Sequence, residues 1–125
     1  MEERDSLTEA VIGAAIEVHR EMGPGLLESV YQKCLVYELR LRNFEFEPLA
    51  RLPIAYKGVL IDDDDLVMDI YFPNRLVVEL KAVEKLVPIH EAQLLTYLRL
   101  SKTHTGLLIN FNVRLLKDGL KRMVL

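Results

Sequence analysis

The chain has one cysteine, three scattered histidines and no long apolar run, and each shortage removes a class of protein. Cys34 alone cannot close an internal disulfide, and its helical apolar surroundings predict core packing. His19, His90 and His104 lie scattered along the chain, so with a single cysteine a zinc site is disfavoured. No stretch of about 18 uncharged apolar residues exists, and none is expected to span a membrane. The opening Met1-Glu2-Glu3-Arg4-Asp5 is acidic and lacks the basic and apolar regions of a secretory leader. A reducing cytoplasm is the expected location. A net charge of −3 argues against a protein that coats nucleic acid by bulk electrostatics. There is no internal repeat, low-complexity tract or linker.

What is present fits one α/β domain over residues 1–125, half of it hydrophobic and 28% of it charged. Charge is uneven. Residues 1–65 carry 14 acids and 7 bases, whereas residues 66–125 carry 5 acids and 9 bases. The basic half permits a nucleic-acid partner on one face without requiring one.

Residues 6–22 are expected to be helical, with Ser6 as N-cap, Glu9 three positions on, and Val11, Ala14, Ala15 and Val18 as an apolar stripe. Gly23-Pro24-Gly25 breaks this helix. A second is expected from Leu26 to Leu41, burying Leu27, Val30, Cys34, Leu35, Tyr37, Leu39 and Leu41, with Asn43 as its stop. Phe44 to Glu47 alternates, Leu52 to Tyr56 is strand-like with an edge or bulge at Pro53, and Lys57-Gly58 marks a turn. Asp62 to Asp65 is four acids in a row; like charges repel, so a solvated loop is expected rather than a metal site. A helix over residues 88–101 opens at Pro88 and is expected to bury Ala92, Leu95 and Leu98 or Leu94. His90, Gln93 and Tyr97 share one flank. Thr105 to Phe111 is expected to be a buried strand parallel to residues 76–82, and Gly119 to Leu125 a short strand.

The densest chemistry lies in Asp69-Ile70-Tyr71-Phe72-Pro73-Asn74-Arg75-Leu76-Val77-Val78-Glu79-Leu80-Lys81. Two strands, 66–72 and 76–83, would pair around Pro73-Asn74-Arg75. Setting Phe72 opposite Leu76 puts Ile70 opposite Val78 and Met68 opposite Leu80, a wholly apolar face. The same register sets Asp69 opposite Glu79 on the other face, with Lys81 beside Glu79. Directly opposed residues have Cα atoms about 4.5–5.5 Å apart, so both carboxylates could reach one ion. Hard oxygen donors suit Mg²⁺ or Mn²⁺. A divalent ion beside a lysine suits phosphodiester hydrolysis, the ion acidifying a water and the lysine steadying charge on the phosphate. Without metal the carboxylates should repel and hold protons. An Asp–Lys–Glu ion network with no catalytic role accounts for the same spacing.

Asp69, followed ten residues later by Glu79-Leu80-Lys81, resembles the PD-(D/E)XK nuclease superfamily. Gly25-Leu26-Leu27-Glu28-Ser29-Val30-Tyr31 is similar to the signature of the GxxExxY proteins. So are Val78 to Leu86, His90 to Leu98 and Gly106 to Asn112, and the likeness covers nearly all of residues 6–124. Met68 rather than proline precedes Asp69, as in many members. The resemblance implies a restriction-endonuclease-like core, a mixed sheet of four or slightly more strands flanked by helices. It also implies Mg²⁺ (or Mn²⁺) held by Asp69, Glu79, the Leu80 carbonyl and Glu28, with Lys81 and Gln93 catalytic and Tyr31 and Tyr97 in support. Glu28 also suits a helix N-terminus, and both tyrosines suit a core. DNA or RNA would be the substrate, and a symmetric homodimer would help in cutting two strands. A non-catalytic nucleic-acid- or protein-binding module, or a hydrolase of a small phosphorylated compound, would keep the same fold.

Overall fold

A computed structural model describes residues 5–125; the acidic residues 1–4 lie outside the described residues. The elements in chain order are α1 (Ser6–Met22), α2 (Glu28–Leu41), β1 (Glu47–Arg51), β2 (Ile54–Tyr56), β3 (Val59–Asp62), β4 (Val67–Phe72), β5 (Leu76–Lys81), α3 (Pro88–Ser101), β6 (Thr105–Asn110), a 3-10 turn (Leu116–Gly119) and β7 (Leu120–Val124).

α1 spans the expected residues, but its cap is Asp5, not Ser6. Asp5 is extended, its Oδ1 accepts from the Leu7 amide at 3.0 Å and its Oδ2 from the Thr8 hydroxyl at 2.8 Å. A carboxylate is also favoured by the positive end of the helix dipole. Gly23 ends the helix at φ 69°, a conformation open to glycine, and donates to the His19 carbonyl.

α2 starts two residues later than expected and is rotated. Its buried residues are Tyr31, Gln32, Leu35, Val36 and Leu39. Leu27, Tyr37 and Leu41 are exposed, while Val30 and Cys34 are half-buried. Apolar residues occupy more than one face of this helix, and long-range packing chooses between them. The Tyr31 ring stacks on Phe111 with centroids 4.5 Å apart, fixing the docked face.

Five strands form one sheet in the order β1-β4-β5-β6-β7, and β2 and β3 form a separate two-stranded sheet. β4 and β5 are antiparallel, β5 and β6 parallel, and β6 and β7 antiparallel. β5 and β6 are buried along almost every position, as expected for strands covered on both faces. On one face α1 and α2 pack over Ile70, Phe72, Val78, Leu80, Leu107 and Ile109. On the other, Leu94, Tyr97 and Leu98 of α3 pack over Val77 and Leu108. Ala92, expected inside, is exposed, and Leu95 is half-buried. Gly106 lets α3 approach closely: a Cβ there would lie 2.9 Å from Leu94 Cδ1. Phe44 and Phe46 precede β1 and pack on Phe72. Asp63 to Asp65 are exposed, and Asp62 accepts from the Asp64 and Asp65 amides. Among the described residues no helix is long and apolar enough to cross a membrane.

Candidate metal and catalytic site

The β4–β5 ladder pairs Phe72 with Leu76, Tyr71 with Val77 and Ile70 with Val78, and there it stops. The expected pairing of Asp69 with Glu79 and Met68 with Leu80 is replaced by side chains. The Asp69 amide donates to Glu79 Oε2 at 2.8 Å, and the Leu80 amide donates to Asp69 Oδ2 at 2.8 Å. Each carboxylate thus takes a hydrogen that a carbonyl would otherwise accept in a regular sheet. Met68 leaves the expected apolar row as a result, and packs with Val77 and Leu108 rather than with Ile70 and Phe72.

The other edge of β4 is interrupted at the same residue. β1 pairs Pro48 with Ile70 and Ala50 with Met68, but the intervening Leu49 opposite Asp69 has φ 50° and is skipped. A left-handed leucine turns its backbone out of the ladder. The Asp69 carbonyl accepts instead from Gln32 Nε2 of α2 at 3.2 Å. Asp69 is therefore held by three side chain–backbone contacts at a gap in the sheet. Gln32 escaped the sequence reading, although a glutamine flanked by Tyr31 and Leu35 on a buried helix face is a signal of a polar partner.

Lys81 ends β5 and reaches α3, where its Nζ donates to Gln93 Oε1 at 2.8 Å; Gln93 Nε2 donates to the Tyr97 hydroxyl at 3.1 Å. Among the described residues Lys81 has no ion-pair partner within 4.0 Å. His90 is turned to structure, its Nδ1 accepting from the Val87 amide at the start of α3. Asn110 bridges the loop after β5 to the end of β6, accepting from the Val83 amide and donating to the Val83 carbonyl.

Glu28 is the first residue of α2, and its charge raises the proton affinity of both Asp69 and Glu79. Tyr31 does not face that group. Its hydroxyl donates to the Gly23 carbonyl and accepts from the Leu26 amide at 3.1 Å, tying down the Gly23-Pro24-Gly25 turn that leads to Glu28. Its ring is fully buried against Phe111.

Burial is the main cause of the site's unusual acidity. It pushes the Asp69 carboxyl up to about 6; the Leu80 amide works against this, Glu28 adds to it and Lys81 opposes it. Glu79 lies well above its ordinary value, from burial first and then from the charge of Asp69. The Tyr97 hydroxyl is also raised, by burial and then by Glu79. A buried and a half-buried acid with one nearby lysine make a site short of positive charge.

The donor set fits a hard divalent cation. Among the described residues neither Asp69 Oδ1 nor Glu79 Oε1 receives a hydrogen bond, so each acid keeps an oxygen for an ion. No group of three His, Cys, Asp or Glu side chains is assembled among those residues, so Glu28 acts on the pair through its field. Magnesium commonly takes one or two carboxylates and completes its shell with water.

Among known families, the profile of the PD-(D/E)XK nuclease superfamily matches residues 5–123. No curated protein and no solved structure gives a match.

Proposed function

The chain belongs to the PD-(D/E)XK nuclease superfamily, and from that premise we propose that it is a divalent-metal-dependent nuclease hydrolysing DNA or RNA phosphodiester bonds. Within the superfamily we place it nearest the GxxExxY proteins. Tyr31 supports this by giving the motif a physical meaning, since it anchors the glycine turn that delivers Glu28. The observation that carries the reading is the interruption of the sheet at Asp69 on both of its edges. A structural ion network needs no such gap, whereas a metal site needs carboxylate oxygens left free.

Asp69 Oδ1 and Glu79 Oε1, with the Leu80 carbonyl, would hold Mg²⁺ (or Mn²⁺). When bound, the ion supplies Lewis-acid charge that lowers the pKa of water and offsets charge on the phosphate. The amide bonds to Oδ2 and Oε2 hold both carboxylates in place before any ion arrives. Lys81, steadied by Gln93 and not neutralised by a carboxylate among the described residues, would offer its ammonium to charge developing on the phosphate. Gln93 is itself fixed by Tyr97, whose raised pKa keeps the phenol protonated. Glu28 adds negative field that draws positive charge, proton or cation, to the pair.

The test is cleavage of single- and double-stranded DNA and RNA across a Mg²⁺ and Mn²⁺ titration. Turnover should vanish in EDTA and in Asp69→Ala, Glu79→Ala and Lys81→Ala. Cleavage retained by all three variants rejects the site. Metal-sensitive binding without turnover would make the chain a binding module instead.

A further inference from the structure

β2 and β3 form a sheet of their own, joined through Lys57 and Gly58 at positive φ, the pattern of a two-residue hairpin. Residues 55–61 are all exposed. Tyr56, Val59, Leu60 and Ile61 are each at least 59% exposed. An isolated two-stranded hairpin is marginal in water, and contiguous exposed apolar surface of this kind marks a contact site.

A second apolar surface begins where β1 meets α2. Val36, Tyr37, Leu41, Pro48 and Leu49 line a groove of about 590 Å³, with Tyr37, Leu41 and Leu49 more than half exposed. Among the described residues the charged ones on this groove are Lys33 and Arg40, with no acid. The hairpin carries the opposite sign, since β3 runs into Asp62 to Asp65. Of these, Asp64 pairs with Arg51, while Asp63 and Asp65 have no basic partner among the described residues.

We propose that the β2–β3 hairpin of one copy seats in the α2–β1 groove of a second copy, and reciprocally, giving a two-fold dimer. One chain carries both halves of the match: apolar hairpin with acidic flank, apolar groove with basic rim. The halves are neighbours in sequence, because β1 supplies Pro48 and Leu49 to the groove and the chain then runs on to the hairpin. A self-complementary surface is what an isologous contact requires. This inference does not rest on the nuclease reading, but it bears on the same centre. Gln32, at the groove, holds the Asp69 carbonyl, and Leu49 is the kink opposite Asp69. Docking would press on the support of that acid.

Sedimentation velocity and light scattering across a micromolar concentration series test this. The wild type should be a dimer. Leu60→Glu/Ile61→Glu in the hairpin and Tyr37→Glu/Leu41→Glu in the groove should each be monomeric with wild-type circular dichroism, since these side chains are exposed. Mixed in equal amounts, the two variants should form a weaker heterodimer with one intact hairpin–groove contact. Charge exchange gives a second route that leaves apolar surface untouched. Lys33→Glu/Arg40→Glu and Asp63→Lys/Asp65→Lys should each weaken dimerisation about tenfold, and their combination in one chain should restore it. A wild type monomeric throughout, which would leave the hairpin to a different partner, overturns the proposal. So does either apolar variant dimerising as wild type, a mixture that stays monomeric, or no rescue by the combined charge exchange.

Discussion

Asp69 carries a carboxyl raised to about 6, and Glu79 is shifted in the same direction, well above its ordinary value. The folded protein therefore holds these protons more tightly than the unfolded chain, whose carboxyls titrate near 4. Their contribution is fully present below about pH 4 and is lost as pH rises through about 6. In EDTA, the urea midpoint should accordingly fall between about pH 5 and about pH 7, by a stability change on the order of 1–3 kcal/mol. A midpoint that rises over this interval contradicts the assignment. Asp69→Asn and Glu79→Gln keep an acceptor oxygen for the Leu80 and Asp69 amides while removing a buried charge. Each should stabilise the metal-free protein at neutral pH by about 1–3 kcal/mol, flatten the pH dependence and abolish cleavage. Saturating Mg²⁺ should stabilise the wild type but neither variant. Asp69, Glu79 and Lys81 were legible because strand alternation sets them on one face of an otherwise apolar hairpin. Gln32 was not, since its partner is a carbonyl released only by the kink at Leu49.

At the scale of elements, α2 and β1 together prepare β4 for its task. Gln32→Ala leaves a part-buried carbonyl without its donor and should cost about 1–2 kcal/mol. It should also raise the Mg²⁺ concentration that gives half-maximal thermal stabilisation, which a thermal-shift titration measures. Rescue of metal affinity by Gln32→Met, which keeps the side-chain bulk without an amide donor, would point to packing instead of a positioning hydrogen bond. The bounds of α1 and α3 were legible from the proline, the glycines and the apolar spacing. The docked face of α2 was not, because apolar residues lie on more than one of its faces and Phe111, eighty positions from Tyr31, decides the outcome. The β4–β5 register was right at the turn and wrong at the acids. Periodicity assumes an unbroken ladder, and here buried carboxylates compete for the amides.

On the scale of the whole molecule, charge is partitioned by sequence half and then by surface. A cavity of about 600 Å³ beside Gly23 and Pro24 is lined by His19, Arg20, Arg114 and Lys117 and, among the described residues, by no acid. It shares its wall with the turn that leads to Glu28. Arg114 and Lys117 have no acidic partner among the described residues. Arg114→Glu/Lys117→Glu, introduced into the Lys81→Ala protein, should weaken nucleic-acid binding and shrink the slope of log Kd against log salt by about 2. An unchanged slope, measured by fluorescence anisotropy, would remove this cavity from the binding path. The layered α/β architecture followed from the order of elements, but the fifth strand and the detached hairpin depended on where the chain turned at Pro53.

The break in pairing at Asp69 has a spectroscopic consequence. Two backbone protons, those of Asp69 and Leu80, point at ionisable oxygens where their neighbours point at neutral ones. Their nitrogen–proton correlation peaks should travel with acidity as the carboxyls ionise, and jump to new positions when magnesium is added. Each strand would thus carry its own built-in indicator, readable without any substrate.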